Sequence, residues 1–482
     1  MLWLAILAGC AAGPDFAPPE APKVAAYTAR PITSTVATPG VTGGEAQAFA
    51  AGADLSGDWW TLFHSQPLNS LIDEALAANH DLKAAQAALK AAHENTLAQR
   101  GAFLPSVTAG FAATRTRSTD PLDTASGASE YSLFTPQVSV AYAPDVFGLN
   151  RRTHESAAAQ EQSARYQMAA TYVTLTANVA NAAIQEASLR SQIEATRELI
   201  GLNAKITETM RYQVSKGYAS PGDLAAQRAQ EAQIAATLPP LLTQLAQQRN
   251  LLAALTGHYP SEAAEDTFDL ASLTLPQDLP LSLPSALVEH RPDVLQAQAD
   301  LHAASAAVGI AAANRLPSLQ LTGDAGSSSL TLRNAFGPGA GFWDLGAAVT
   351  APIYQGGSLL HQERAAKAGY VQAGEQYRGV VLTAFENVAD TLAALQHDAE
   401  ALKASADAAD AAKASLDIAT RQTNAGYGSV LSLLNAEQAY QQARIGLIQA
   451  QASRYADTVA LYQALGGGWW QNAKFVGDMH GQ

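Results

Sequence analysis

Between Pro352 and its last residue the chain has no proline, and inside that run the apolar residues keep strict spacing. Val381, Phe385, Val388, Leu392, Leu395, Ala399, Leu402, Ala406 and Ala409 fall at alternating steps of four and three. This is a heptad seam, the pattern of helices packed side by side in a supercoil. Read as one helix, 357–424 reaches roughly 100 Å at about 1.5 Å per residue. A compact domain has no use for such a rod, so an elongated protein is expected. The run 151–214 is also free of proline, and Met168, Tyr172, Leu175, Val179, Ala182, Leu189 and Ile193 carry the same kind of stripe. The two runs end alike, in Lys216-Gly217-Tyr218-Ala219-Ser220 and Ala425-Gly426-Tyr427-Gly428-Ser429.

The resemblance between the two ends extends along the chain. Asp81-Leu82 answers to Asp293-Val294, Leu104-Pro105-Ser106 to Leu316-Pro317-Ser318, Ala143-Pro144 to Ala351-Pro352, and Asn178-Val179 to Asn387-Val388. One unit of helix, strand, loop, strand, long helix and return helix is therefore expected twice, at 57–260 and 285–470. The spacing predicts a helix from about Pro67 that breaks near Asn79-His80 and resumes to Arg100. Strands are predicted at Ser106–Thr114 and Thr135–Ala143, with a polar loop at 115–131, because Val107, Ala109, Phe111 and Ala113 alternate with smaller or polar residues. Weaker alternation marks 319–322 and 347–350. The return helix after Ser220-Pro221-Gly222-Asp223 runs to about Leu255, and Pro239-Pro240 is expected to kink or interrupt it. Residues 261–284 read as a proline-punctuated linker, and 471–482 as a C-terminal tail.

The first residues read as a processing signal. Met1–Ala8 is apolar, and Leu7-Ala8-Gly9-Cys10 resembles the lipobox of bacterial lipoproteins, in which the cysteine is acylated and becomes the mature N-terminus. Residues 1–9 are then a signal peptide and 10–56, rich in Pro, Ala, Thr and Gly, an extended tether. Ala11 after the cysteine fits an outer-membrane address. Cys10 is the single cysteine of the 482 residues, which excludes a disulfide framework and a thiolate metal site. A formal net charge of −14 with no basic cluster argues against nucleic acid as a partner. No His-Glu-x-x-His, phosphate-binding glycine loop or nucleophile elbow occurs, so no enzyme and no cofactor is expected. No later apolar run is long enough for a transmembrane helix.

Four short strands cannot close a barrel, and a lone hairpin with one apolar face leaves open edges. A barrel shared between chains resolves this, with three chains giving twelve strands and the long helices packing around the same axis. The competing arrangement is a soluble helical protein whose hairpins pack on its own core; with the lipobox the shared barrel leads, so the expected fold class is mainly α with a small β part, a trimeric twelve-stranded outer-membrane β-barrel plus a periplasmic α-helical barrel.

Trp59-Trp60 with Phe63, Pro67 and Leu68, the segments Asn79-His80-Asp81-Leu82 and His290-Arg291-Pro292-Asp293-Val294, the paired Gly-Tyr turns, and Ala464-Leu465-Gly466-Gly467-Gly468-Trp469 together resemble TolC-like outer-membrane efflux factors. The match is to the lipoprotein branch serving resistance-nodulation-division pumps and spans nearly the whole chain. The resemblance implies a homotrimer anchored in outer-membrane lipid, extending into the periplasm and docking through its periplasmic tip to a membrane-fusion adaptor protein and an inner-membrane pump. The tip would carry Gly217, Tyr218 and Ser220 from one turn and Gly426, Tyr427 and Ser429 from the other. Nine residues before each turn glycine stands an acid, Glu208 and Asp417, which in a trimer would make six carboxylates near one level. Arg421 and Tyr212, at matching positions one turn on, could bind neighbouring helices and hold such a gate closed. The expected activity is passive export of small molecules. An exit duct for type I protein secretion and a pore-free periplasmic scaffold are the competing readings.

Overall fold

The structure, a computed structural model, describes residues 11–30, 32–118, 129–262 and 269–480. Cys10 and the signal segment lie outside the described residues. In chain order the elements are β1 (Ala48–Ala51), α1 (Gln66–Ala78), α2 (His80–Arg100), β2 (Ser106–Ser118), β3 (Ser129–Tyr142), α3 (Leu149–Ser215), α4 (Pro221–Leu255), β4 (Asp278–Leu281), α5 (Pro284–His290), α6 (Pro292–Ala313), β5 (Ser318–Ser327), β6 (Gly341–Thr350), α7 (Ser358–Asn424), α8 (Val430–Ala464) and α9 (Ala473–His480). The order helix, helix, strand, strand, long helix, return helix occurs twice. Both long helices have 67 residues and both return helices 35.

The chain divides into two units. One holds residues up to Pro19, Leu89–Ala164 and Gln296–Arg378; the other holds Glu20–Ala88, Arg165–Leu295 and Gly379–Gln482. The first contains the sheet, ordered β2-β3-β5-β6 and antiparallel throughout. The two expected hairpins are thus joined through β3 and β5, with Gln137–Tyr142 against Leu321–Gly326. Edges β2 and β6 have no strand partner among the described residues. The strands run further than the alternation of small and apolar residues marks them. Arg115 and Glu130, expected in a loop, lie within β2 and β3, and Arg115 Nε donates to Glu130 Oε1 over 3.0 Å. Pro136 sits in β3 just past the last pair with β5, Gln137↔Gly326, so its missing N–H leaves that ladder intact.

In this unit the segment after Cys10 is seated. Arg152, 4% exposed, donates through Nε to Ala12 O and through Nη2 to Asp15 Oδ1, and Phe16 stacks on His302 at 4.3 Å. Asp145 caps α3, accepting from the backbone N–H of Asn150 and Arg151.

The second unit is built on the two apolar stripes. Every seam residue from Val381 to Ala409 is buried except Phe385, which is half-buried against Tyr27. Met168, Tyr172, Leu175, Val179, Ala182, Leu189 and Ile193 are all buried. Trp59, Trp60 and Phe63 plug this core, with Trp59 stacked on Tyr462 at 5.1 Å. The break between α1 and α2 has a local cause: Asn79 Oδ1 accepts from the N–H of Asp81 and Leu82, and its amide donates to Leu255 O. A cap there starts a new helix instead of continuing the old one.

Four expectations need correction. The tether is extended but not loose: β1 pairs in parallel with β4, and buried Gln47 donates to Pro276 O and Thr458 Oγ1. The linker 261–284 supplies β4 and the buried Leu273, Leu275 and Leu279, so its described residues are part of the core. The tail holds α9, whose Phe475 stacks on Tyr172 at 4.1 Å. Pro239 and Pro240, expected to kink or interrupt α4, do not interrupt it. Both prolines are exposed, as is Ala236, while Ala235 is half-buried. The carbonyls that lose their helical donors thus belong to residues that are not buried, which is where a helix tolerates proline.

Candidate functional site: a lipid-facing sheet and a two-turn tip

Period-two side chains decide what the sheet can touch. Along one face run Val107, Ala109, Phe111 and Ala113 of β2. The register sets beside them Phe134, Pro136, Val138, Val140 and Tyr142 of β3, then Leu321 and Ala325 of β5 and Trp343, Leu345 and Val349 of β6. This face is not covered: Leu345 is 80% exposed and Trp343 75%. The opposite face carries Thr108, Gln137, Ser139, Gln320, Thr322, Asp324 and Asp344, with Ser139 Oγ donating to Asp324 Oδ1. Apolar outside and polar inside is what a strand between hydrocarbon and water requires. On β3 the apolar band covers nine residues, roughly 30 Å of strand, and at a tilt of about 40° this spans roughly 23 Å of membrane. The Arg115–Glu130 pair stands on the outward face beyond that band.

The tip consists of the two turns. Gly217 and Gly426 both take positive φ, +77° and +85°, which lets each long helix end and the chain reverse. Tyr218 N–H bonds to Gln213 O and Tyr427 N–H to Gln422 O, and both tyrosine side chains are exposed. The turns differ at the next helix. Ser220 and Asp223 form a reciprocal capping box at the start of α4, whereas Ser429 makes no side-chain cap at the start of α8. Gly428 lies so close that a Cβ would stand 2.5 Å from Thr423 N. Gln213 Nε2 donates to Thr423 O, and behind the turns Leu416, Ala419, Leu433 and Ala436 form a small core with Leu202, Ile206 and Tyr440.

The acids named from the sequence are both exposed. Glu208 pairs with Arg211 of its own helix, and Arg421 donates through Nε to the backbone carbonyl of Asp417. Tyr212 stands with its ring 5.5 Å from Lys216 Nζ. Within one protomer these four residues therefore make their contacts along their own helices.

Sequence reasoning passed over a group beneath them. Asn203, Gln227 and Glu437, from α3, α4 and α8, are all fully buried, and Gln227 Nε2 donates to Asn203 Oδ1 over 3.1 Å. Spacing holds the signal: Glu437 is four residues after Leu433 and three before Tyr440, on the apolar stripe of α8.

A sheet with a hydrocarbon-facing side, carried by a chain of long helical hairpins, defines an outer-membrane channel. Residues 71–258 and 283–467 match the outer membrane efflux protein family, and the chain belongs to it. It is 29% identical over 469 residues to the probable efflux pump outer membrane protein TtgC of Pseudomonas putida, covering 97% of this chain and 94% of that one. It is 29% identical over 416 residues to the pyoverdine export outer membrane protein OpmQ of the same species, covering 85% and 88%. The solved outer-membrane channel OprN superposes with a TM-score of 0.85 at 25% identity, over 95% of this chain and 100% of that one.

Proposed function

We propose that three copies of this chain form a passive duct that carries small molecules from the periplasm to the exterior, as the outer-membrane component of a tripartite efflux system. The observation that carries this reading is the four-stranded sheet with two unpaired edges and one uncovered apolar face. Three such sheets joined edge to edge make twelve strands, an even number that leaves no edge open. A pore-free scaffold would have no use for a lipid-facing band.

Energy comes from partners: an inner-membrane resistance-nodulation-division pump and a periplasmic adaptor. The two turns, with Gly217, Tyr218, Ser220, Gly426, Tyr427 and Ser429, form the adaptor-facing tip, since their exposed tyrosines sit on fixed turns. Glu208 and Asp417, with Arg421 and Tyr212, form the gate between protomers. Cys10 carries the acyl anchor. Purified protein in planar bilayers tests the duct: discrete, long-lived conductance steps from a trimer are expected. A trimer that gives none in any state, with Glu208 and Asp417 both replaced by Ala as well as without the change, refutes it.

A further inference from the structure

Glu437 is placed where a carboxylate is hard to keep. It lies in the second turn of α8, is fully buried, and no N–H or O–H among the described residues donates to either of its oxygens. Its polar neighbour is Gln227 of α4, whose Oε1 also has no donor. The rest of the chain of bonds is complete: Gln227 Nε2 donates to Asn203 Oδ1, and Asn203 Nδ2 to Leu199 O. One proton on Glu437 would supply the missing donor, an O–H toward Gln227 Oε1. Without it, both Glu437 oxygens and Gln227 Oε1 stay without a donor in a buried site, which is costly.

The charged groups on the surrounding helices are turned elsewhere. On α8, Arg444 lies near Glu198 of α3 and donates to the Tyr440 hydroxyl. On α4, Arg228 is exposed and Glu231 accepts from Thr207. On α3, Lys205 is exposed and Glu208 pairs with Arg211; on α7, Asp410, Lys413, Asp417 and Arg421 are exposed. Burial accordingly pushes the Glu437 carboxyl up to about 7. The joint also sits in the helix whose first turn lacks a side-chain cap.

We propose that Glu437 is a proton-operated latch of the tip: protonated, it closes the chain of bonds through Gln227 and Asn203 and seats α8 against α3 and α4; ionised, it admits water and frees the start of α8. As a control on passage this rests on the duct reading; as a movement of α8 it does not. The direction follows from linkage. An acid whose folded value is raised favours the packed state at low pH, and that preference is lost as pH rises from the ordinary carboxylate value toward 7. Three latches per trimer then make the tip looser at pH 8 than at pH 5.5.

The test is hydrogen exchange of residues 430–440 in the full lipidated trimer, wild type against Glu437→Gln, at pH 5.5 and pH 8. Comparing the two proteins at each pH cancels the chemical pH dependence of exchange. The wild-type rate relative to the variant should rise about tenfold or more across that interval. A ratio that stays constant overturns the latch. If Glu437→Gln fails to assemble, Gln227→Leu serves: with the acceptor for the Glu437 proton gone, the extra protection of residues 430–440 at pH 5.5 should be lost, and protection that follows pH as in wild type overturns the latch. Conductance of the same preparations separates the two claims. Opening that follows pH in wild type but not in Glu437→Gln supports control of passage, and pH-independent opening overturns that part. Absence of conductance throughout sinks the duct, while the exchange result still decides the latch.

Discussion

Replacing Val138 by Arg places a charge at the centre of the apolar band of β3, between Pro136 and Val140 on the outward face. Val138 is 44% exposed and pairs with Ala109 on one side and Ala325 on the other, so the guanidinium has no acidic neighbour in the register to meet. An arginine at the middle of a transmembrane barrel costs about 2–4 kcal/mol. The trimer carries three copies, so the barrel loses roughly 6–12 kcal/mol, comparable with the whole stability of about 5–15 kcal/mol typical of a folded domain. The control is Gln137→Arg, one residue away on the opposite face, where the charge meets water. Heat-modifiable trimer in outer-membrane extracts should vanish for Val138→Arg and persist for Gln137→Arg. Equal yields from the two variants would refute the assignment of faces, and with it the membrane-spanning sheet.

Two further outcomes follow from buried charge. Arg291 holds α7 and α8 together through Nη1, which donates to Ala384 O and Ala464 O, while Nε and Nη2 grip Asp293. Arg291→Met removes, besides the grip on Asp293, the two charge-assisted bonds to these carbonyls at about 1.5–3 kcal/mol each, so amide exchange in α5 should accelerate by roughly two decades or more; acceleration below tenfold contradicts the clamp. Asp457 is raised to about 7, first by burial and then by Asp398 beside it. A raised acid favours the fold while protonated, so this pair's contribution falls as pH rises from about 4 to about 7 and is flat above. The thermal midpoint of the solubilised trimer should drop over that range, with a smaller drop in Asp457→Asn; an unchanged drop counts against the pair.

Much of this architecture is legible without coordinates because its patterns are long. A heptad seam and a proline-free run fix α7 to within a residue of its observed start, and the repeated Gly-Tyr turns mark where both long helices end. Strand ends were harder to read: Arg115 and Glu130 look like loop residues, because only the part of the strand inside the hydrocarbon needs an apolar face. The packing of β1 on β4 joins residues 230 apart, Ala48 and Asp278, through backbone bonds that leave no trace in side-chain pattern. The tip shows in the sequence at its glycines, whereas an acid such as Glu437 on an Ala- and Gln-rich helix reads as solvated. Its place on the stripe of Leu433 and Tyr440 turns it inward, but Asn203 and Gln227 come to it from two other helices, which no single stripe records.

The duplicated hairpins end in arms of equal length, 67 residues down and 35 back, but in chemically different starts: one boxed by Ser220 and Asp223, the other bare at Ser429. Three chains therefore present six turns of the same size in two alternating kinds. A partner that reads backbone shape encounters a sixfold rim, while one that reads side chains and stiffness encounters a threefold rim.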